Sequence, residues 1–443
     1  MPTRATHLPR TGLGPGKLFT LLKSAKGSDA KWRNGRTWSL VYYAGEKHTR
    51  RLLDVYQMFF AENALSPAAF PSLGRFERDV VRIMAGLLGG NAQACGTMTS
   101  GGTESILLAV KAHRDWFRKR KPKVRRPQIV IPVSAHPAFY KAAHYFDLDP
   151  VTIPLDAGYR LDPAEVARAI TRSTALLVAS APSYPYGMVD PIPALGQLAR
   201  QHYTGLHVDA CVGGIFMPFM RKLGYPTPPF DFSVPGVTSI SADLHKYGFA
   251  PKGTSVILYR DPALRRFQFF VKPDWPGGAF ASPALLGTRP GGGIASAWAT
   301  LMMLGENGYR DLVRKTMLYR DRLFKGILSV GGFEIVGQPD MTAFSFTSRV
   351  FNIFDIAARL EQKGWRIDRL TTPPAIHMIV TPNHQRATRE FIRDLRDVAA
   401  AAVPSTSTPT RPASVVLYGV TSKSVTGDDP HESLYRAIES VYD

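Results

Sequence analysis

The chain has 443 residues, of which 44% are hydrophobic and 11% aromatic, so it can bury a large core and is globular rather than disordered. Its two cysteines cannot build a disulfide framework, and no run of about 18 apolar residues is present to cross a bilayer. The N-terminus lacks the apolar stretch of a secretory signal. We therefore expect a soluble, cytoplasmic protein, with export by a signal-less route left open.

The charge balance bears on binding partners rather than on the fold. There are 55 basic and 35 acidic residues, a formal net charge of +20, which favours an anionic membrane surface or a phosphorylated substrate. Nucleic acid is not an expected partner, because the basic clusters come without a zinc-finger, heptad or RNA-binding aromatic motif. No metal centre is expected either. The lysines of the first fifty residues could assist contact with a membrane, although a solubilising arm explains them equally well.

The predicted elements begin with a flexible arm at residues 1–35, followed by helical patterns at 48–62 and 74–88. Short apolar runs then predict buried strands at Gln128–Ser134, Thr174–Ser180, Leu206–Asp209, Thr238–Ala242 and Ser255–Tyr259. Helical patterns at 137–146, 162–171 and 192–203 lie between several of these runs. This alternation indicates an α/β fold with a mostly parallel sheet, which binds ligands at the carboxyl ends of its strands.

The last third of the chain predicts a smaller α+β unit. A Gly/Pro-rich segment at 287–293 precedes a long helical region at 295–328. Strands are predicted at 333–336, 343–346 and 377–380, helices near 353–363 and 385–402, and a loop at 403–414. We therefore divide the chain into an arm with the first helix (1–55), a large α/β domain (56–300) and a small C-terminal α+β domain (301–443).

Two motifs suit the binding of a phosphorylated aromatic ring. The glycine-rich turn Thr99–Ser105 opens an apolar helix, whose free backbone N–H groups favour an anion, although ordinary helix capping gives the same pattern. Asp209 ends a predicted strand. A carboxylate there could keep a pyridine nitrogen protonated and make the ring an electron sink. A capping role for Asp209 is an equally good interpretation.

Two further motifs follow strand ends. Lys246 could form a Schiff base if burial lowers its pKa, although most lysines in such loops are simply exposed. His136 could stack on a planar ring or be an ordinary packed histidine. In combination the four motifs form the arrangement expected for pyridoxal 5′-phosphate (PLP).

Five stretches carry a resemblance to the sphingosine-1-phosphate lyases, in the PLP-dependent group II decarboxylase family of fold type I. They are residues 95–116, 129–146, 181–192, 206–219 and 241–259, and the similarity runs from about residue 36 to the C-terminus. The last stretch is the most specific. Decarboxylases share its His245-Lys246 pair but not the following Tyr-Gly-Phe-Ala-Pro-Lys-Gly. The resemblance implies a PLP-dependent transferase fold, with a large domain built on a mostly parallel, helix-flanked sheet and a small C-terminal α+β domain.

The resemblance also implies roles for individual residues. Lys246 matches the lysine that bonds to PLP, His136 the histidine that stacks on its ring, and Asp209 the partner of its pyridine nitrogen. Gly102, Thr103 and His245 match positions around the cofactor phosphate. Thr288 stands where the family often has Ser, in a segment that reaches the neighbouring subunit's cofactor. A homodimer with shared active sites is therefore expected.

The same comparison points to the substrate side. Lys252 resembles a second catalytic lysine, and Tyr184 lies in a segment that faces the substrate. Tyr42 and Asn63 match positions that bind the substrate's head group. Ser66 departs from the pattern, because the lyases usually carry there a His linked to the substrate phosphate. Ser66 keeps a hydrogen-bond donor but has no charge.

These roles imply retro-aldol cleavage of sphingosine 1-phosphate, a phosphorylated long-chain base, to a long-chain aldehyde and phosphoethanolamine. The catalytic base stays open between Lys252, Tyr184 and the cofactor phosphate, and Lys246 is a candidate for returning the proton. Three alternatives stand beside this interpretation. They are a PLP-dependent amino-acid decarboxylase, an aldolase for another β-hydroxy amine, and an inert binding protein that keeps the fold.

Overall fold

A seven-stranded sheet forms the centre of the large domain in the computed structural model, which describes residues 7–404 and 430–442. Its strands are β1 (Cys95–Thr99), β2 (Gln128–Pro132), β3 (Asp149–Ile153), β4 (Thr174–Ser180), β5 (Gly205–Asp209), β6 (Ser239–Asp243) and β7 (Ser255–Tyr259). They lie in the order β1-β7-β6-β5-β4-β2-β3. Five neighbouring strands of this order, β6-β5-β4-β2-β3, pair in parallel. Strand β7 runs antiparallel to both of its neighbours, β1 and β6.

Helices flank this sheet because its strands are apolar on both faces. Every residue of β4, β5, β6 and β7 is buried, as expected for a sheet covered on two sides. The flanking helices are α3 (Pro71–Leu87), α4 (Gly102–Arg120), α5 (Ala138–Phe146), α6 (Pro163–Ala169), α7 (Ile192–Gln201) and α8 (Gly213–Lys222). A short helix α9 (Pro262–Arg265) and a hairpin of β8 (Phe270–Lys272) and β9 (Phe280–Ser282) follow β7.

The small domain is a four-stranded antiparallel sheet with its own apolar core. Its strands are β10 (Phe333–Ile335), β11 (Ala343–Ser348), β12 (Asp368–Thr371) and β13 (Pro374–Ile379), in the order β10-β11-β13-β12. Helices α11 (Ile353–Gln362) and α12 (Ala387–Ala400) pack on it, and α13 (Pro430–Tyr442) ends the described chain. Helix α10 (Gly291–Ser329) joins the two domains and breaks at Gly305, where φ is +54°.

The N-terminal segment has more structure than a flexible arm. It contains helix α1 (Pro15–Lys26), which the sequence did not predict, and helix α2 (Glu46–Met58). Trp38 is fully buried in the small domain's core, with its ring 5.6 Å from Trp365 and 5.0 Å from Phe391. The end of the arm is therefore anchored on the C-terminal part of the chain.

The α/β fold class is confirmed, and the buried strands agree best with prediction. Strands β4 and β7 have the predicted bounds. Besides α1, the elements that were not predicted are β1, β3, β8, β9, β12, α8, α9 and α13. The predicted loop at 403–414 lies outside the described residues from 405 onward. None of the helices in the described ranges combines the length and apolar content that crossing a bilayer requires.

Candidate active site

The carboxyl ends of the central strands open into a cavity of about 370 Å³. Its lining includes most of the predicted cofactor residues, namely Gly102, Thr103, His136, Asp209, His245 and Lys246. It also includes Tyr184, which was predicted on the substrate side. These residues come from five separate segments, each at or directly after the carboxyl end of a strand of the sheet. The parallel arrangement of the strands is therefore what gathers these distant residues at one edge.

The first turn of α4 forms one wall of the cavity. Its N-cap, Gly101, offers no side chain to the free N–H groups of that turn, so they stay available for an anion. A Cβ added at Gly102 would lie 2.8 Å from Cys211 Sγ and 3.0 Å from Asp243 Oδ1. Only glycine fits there, and the turn approaches the opposite wall closely.

Asp209, the last residue of β5, is held rigidly in the cavity wall. Its Oδ1 accepts hydrogen bonds from the Cys211 backbone N–H at 3.0 Å and from the Ser241 hydroxyl at 3.2 Å. The side chain is buried and still reaches the cavity. These contacts fix the orientation that a carboxylate needs to hold a pyridinium proton.

Lys246 lies opposite an acidic residue that the sequence interpretation did not single out. Its Nζ is 3.0 Å from Asp243 Oδ2, and His245 Nε2 is 3.6 Å from the same oxygen. Burial alone would lower the pKa of Lys246, but the Asp243 carboxylate raises it well above its ordinary value. Burial likewise works to raise the pKa of Asp243, and Lys246 and His245 hold it below its usual range. The sequence feature that could have identified Asp243 as a site residue is its position at the end of a predicted strand.

His136 presents a neutral ring to the cavity. The Ala138 backbone N–H donates to His136 Nδ1 at 3.2 Å, so this nitrogen carries a lone pair. Burial lowers the pKa of His136, against the opposing effect of Asp209. A neutral, fixed imidazole suits stacking on an aromatic cofactor.

Tyr184 is positioned by the small domain. Its hydroxyl donates to Asp368 Oδ2 at 3.4 Å, and its ring lies 4.1 Å from the ring of His377. His377 Nε2 also bonds to the Tyr184 carbonyl oxygen at 2.8 Å. The small domain therefore fixes the side chain predicted to face the substrate.

Lys252 and Tyr42 lie beside the cavity rather than among its lining residues. Lys252 Nζ is 5.3 Å from the centre of the Tyr42 ring, and that ring packs edge-on against Tyr247 at 4.9 Å. Lys252 is exposed in part, yet the protein around its amine, and then the charge of Lys246, lower its pKa to about 8. The two lysines thus differ in their charge environment.

Asn63, Ser66 and Thr288 form a second group that does not line the cavity. Asn63 Nδ2 donates to Thr288 Oγ1 at 3.3 Å, and Ser66 is exposed in the same loop. An ion pair of 2.7 Å between Arg289 and Glu77 anchors this group against α3. The structure therefore brings these predicted residues together, but not in the lining of the cavity of the same chain.

The cavity residues fit PLP on chemical grounds. The open turn of α4 suits its phosphate, Lys246 its aldehyde, Asp209 its pyridine nitrogen, and the His136 ring its aromatic face. The glycine at 102, which leaves no room for a side chain, matches a cradle for a close-fitting anion. No other cofactor is required to explain this set of groups.

Comparison with known proteins first defines the class. Residues 42–349 match the family described as the pyridoxal-dependent decarboxylase conserved domain. The glutamate decarboxylase of Lactobacillus brevis has the same fold, with a TM-score of 0.80 at 22% identity over 89% of this chain and 94% of that one. The chain belongs to the pyridoxal-dependent decarboxylase family, whose cofactor is PLP.

Closer relatives define the branch within that class. The sphingosine-1-phosphate lyase of Arabidopsis thaliana is 41% identical over 98% of this chain and 81% of its own length. Sphingosine-1-phosphate lyase 1 of Mus musculus is 42% identical over 88% of this chain and 69% of its own length. The structure of the Burkholderia pseudomallei sphingosine-1-phosphate lyase has a TM-score of 0.86 at 39% identity, covering 89% of this chain and 93% of that one. Within the class, the chain belongs with the sphingosine-1-phosphate lyases.

Proposed function

We propose that the protein is a PLP-dependent aldehyde-lyase that cleaves sphingosine 1-phosphate to a long-chain aldehyde and phosphoethanolamine. The observation that carries this proposal is the joint placement of Lys246, Asp209 and the α4 turn around one cavity in a chain related to these lyases. The family relationship favours this reaction over amino-acid decarboxylation.

The chain's own residues divide the work of the reaction. When bound, PLP supplies the electron sink that makes cleavage of the substrate's Cα–Cβ bond feasible. Lys246 holds the cofactor, Asp209 keeps its ring nitrogen protonated, and His136 covers its face. The Gly102–Thr103 turn and His245 hold its phosphate. Each of these groups lies at or just after the carboxyl end of a strand, so the constellation is preorganised.

A base must remove the substrate's hydroxyl proton while the Cα–Cβ bond breaks. Lys252 Nζ is our candidate, because a pKa near 8 leaves part of its population neutral close to neutral pH. Tyr184 is the second candidate, since it lies in the cavity wall and its hydroxyl is within hydrogen-bond reach of Asp368. The product Cα then needs a proton, which the Lys246 ammonium can give.

The test is an assay of the purified, PLP-loaded protein with sphingosine 1-phosphate, measuring aldehyde and phosphoethanolamine in equal amounts. Loading is first checked by the visible absorbance of the bound cofactor. Lys246→Ala should lose that absorbance and nearly all turnover. Lys222→Ala is the matched control, because Lys222 pairs on the surface with Glu306 and should leave turnover unchanged.

The products decide between the candidates. Carbon dioxide from an amino acid, with no aldehyde from the lipid, would replace the proposal with a decarboxylase. Aldehyde from a different β-hydroxy amine only would keep the bond cleavage and change the substrate. Ser66→His tests the head group: a lower KM for the phosphorylated base, with no change for a non-phosphorylated one, would place Ser66 beside the substrate phosphate.

We further propose that two copies share their active sites. Thr288 and Asn63 are bonded to each other but do not line their own chain's cavity, which fits the expectation that they serve a second one. The neighbouring β8–β9 hairpin leaves apolar side chains exposed, among them Phe270, Val271 and Trp275. A second copy would cover them.

Mixed dimers provide the test of sharing. Lys246→Ala chains and chains with a blocking Thr288→Trp change should each be inactive alone. After unfolding and refolding together in equal amounts, about a quarter of the wild-type activity should return, because half of the mixed dimers' sites are intact. A monomer by light scattering, or no recovery in a proven mixed dimer, would contradict shared sites.

We also propose that α1 makes peripheral contact with an anionic membrane, where the amphiphilic substrate resides. No residue of α1 is buried, and Leu18, Phe19 and Leu22 are exposed beside lysines at 17, 23 and 26. Each lysine near an anionic surface should strengthen binding about fivefold. Changing all three to Gln should weaken binding to phosphatidylserine vesicles, with neutral vesicles as control; unchanged binding would reject this role.

A further inference from the structure

Asp243 is a buried carboxylate that none of the assigned roles uses. It is the last residue of β6, only 3% exposed, and its Oδ2 lies 3.0 Å from Lys246 Nζ. Its other oxygen accepts a hydrogen bond of 2.5 Å from the Ser255 hydroxyl. A buried charge needs such partners to be tolerated. The carboxylate is therefore fixed in place and aimed at the amine of Lys246.

Among the residues that the structure describes, no carboxylate forms an ion pair with the second lysine, Lys252. The ring of Tyr42 lies 5.3 Å from Lys252 Nζ. The charge of Lys252 is repelled by Lys246, attracted more weakly by Asp243, and also acts on His245. The two amines stand in one charge network, but the ion pair belongs to Lys246. Two titratable groups whose surroundings give them different pKa values are suited to opposite roles, one as acid and one as base.

We propose that Asp243 is a positioning residue that keeps the free amine of Lys246 as an ammonium, and so assigns acid work to Lys246 and base work to Lys252. This inference rests on the proposed lyase function. In proton terms, Lys252 takes the proton of the substrate hydroxyl as the Cα–Cβ bond breaks. The Lys246 ammonium then gives one proton to the product Cα, where the electron pair of the broken bond forms the new C–H bond. One proton exchanged between the two lysines, directly or through solvent, resets the site.

The other groups around Lys246 do not replace Asp243. The titratable groups that act with it in this network are Tyr42, His136, Asp209, Cys211, His245, Tyr247 and Lys252. Burial raises the pKa of the Cys211 and Tyr247 side chains, so both are neutral at working pH. Asp209 is already engaged with Cys211 and Ser241 and is the residue predicted to hold the cofactor's ring nitrogen. Asp243 is thus the carboxylate that can hold the ammonium.

The experiment measures the protonation of both lysines directly. Full-length protein, freed of cofactor by dialysis against hydroxylamine, is labelled with acetic anhydride from pH 6 to 11, and peptide mass spectrometry follows each site. In the wild type, Lys252 should become reactive near pH 8 and Lys246 only well above it. In Asp243→Asn, the titration of Lys246 should move to lower pH, because burial remains and the carboxylate charge is gone. Asp190→Asn, another buried carboxylate outside this network, is the control and should leave Lys246 unchanged.

Turnover provides a second readout. In cofactor-loaded Asp243→Asn, the alkaline limb of the kcat profile should move to lower pH, whereas a merely structural role would lower kcat by one factor at every pH. The wild-type labelling alone can overturn the proposal, even if the variant fails to fold. It would do so if Lys246 became reactive at the same pH as Lys252 or at a lower pH. An unshifted Lys246 in Asp243→Asn would also overturn it. Normal labelling with no aldehyde release would instead reject the proposed substrate and leave the role of Asp243 standing.

Discussion

Asp190 should make the stability of this protein fall as the pH rises from about 4 to 7. The side chain is 5% exposed, and its Oδ2 accepts a 2.7 Å hydrogen bond from the Ser180 backbone N–H at the cavity edge. Burial raises the pKa of Asp190 to about 7, against the opposing effects of that N–H and of Arg160. An ordinary aspartate has a pKa near 3.9. The folded protein therefore keeps a proton on Asp190 that the unfolded chain releases.

The sign and size follow from that difference. Because the folded pKa is the higher one, the stability contribution is complete below about pH 4 and is lost as the pH rises through 7. A difference of about 3 pKa units corresponds to roughly 4 kcal/mol. Asp190→Asn removes the titration but keeps an oxygen that can accept from the Ser180 N–H. The free energy of unfolding of this variant, relative to wild type, should rise by roughly that amount between pH 4 and pH 8.

Urea unfolding of equally loaded wild type and variant at pH 4.5, 6 and 8 is the assay. Taking the difference between the two proteins at each pH removes the contribution of every other titrating group. Asp162→Asn serves as the control, since Asp162 is an exposed cap of α6. A difference between Asp190→Asn and wild type that does not change with pH would refute the reasoning.

Three more outcomes are expected. Gly102→Ala should weaken PLP binding at least about tenfold, measured by titrating the visible absorbance, because the new Cβ would lie 2.8 Å from Cys211 Sγ; unchanged binding would mean that the α4 turn is not a tight cradle. Tyr247→Phe should cost about 1–3 kcal/mol in urea unfolding, because it leaves the buried Val380 carbonyl without the 2.6 Å bond that ties the two domains. Lys252→Met should lower kcat by about 10²–10⁴ and remove the rise of kcat near pH 8, as expected for a lost base; wild-type turnover would exclude that role.

The sequence predicted the buried strands well because burial decides their structure and no other local pattern conflicts with it. Thr174–Ser180 and Ser255–Tyr259 are continuous apolar runs, and both form strands with those bounds. Cys95–Thr99 and Asp149–Ile153 were missed, because the first contains glycine and polar residues and the second begins with Asp-Pro. The sheet recruits both as neighbours of apolar strands, which is a tertiary effect and leaves little local pattern.

The prediction for the N-terminal segment was incomplete for a different physical reason. Trp38 follows the predicted arm at 1–35, and no helix or strand was predicted around it, yet it is fully buried against Trp365 and Phe391, which follow more than 300 residues later. A single aromatic anchor of this kind carries no local signal. Helix α1 was missed because residues 1–35 are rich in Gly, Lys and Arg and poor in apolar periodicity, although Pro15 stands where Pro is favoured, in the first turn of the helix.

The candidate site was predictable in position but not in its charge relations. A carboxyl end of a strand can be located from the pattern, and Asp209, Asp243 and Lys246 all stand at such ends. Sequence alone could not say which carboxylate meets the amine, since β5 and β6 are neighbours and either side chain could point that way. The structure distinguishes them: Asp209 bonds to Cys211 and Ser241, while Asp243 takes the 3.0 Å contact with Lys246. Two aspartates at adjacent strand ends thus have different partners, because the hydrogen bonds and ion pair of each side chain fix its direction.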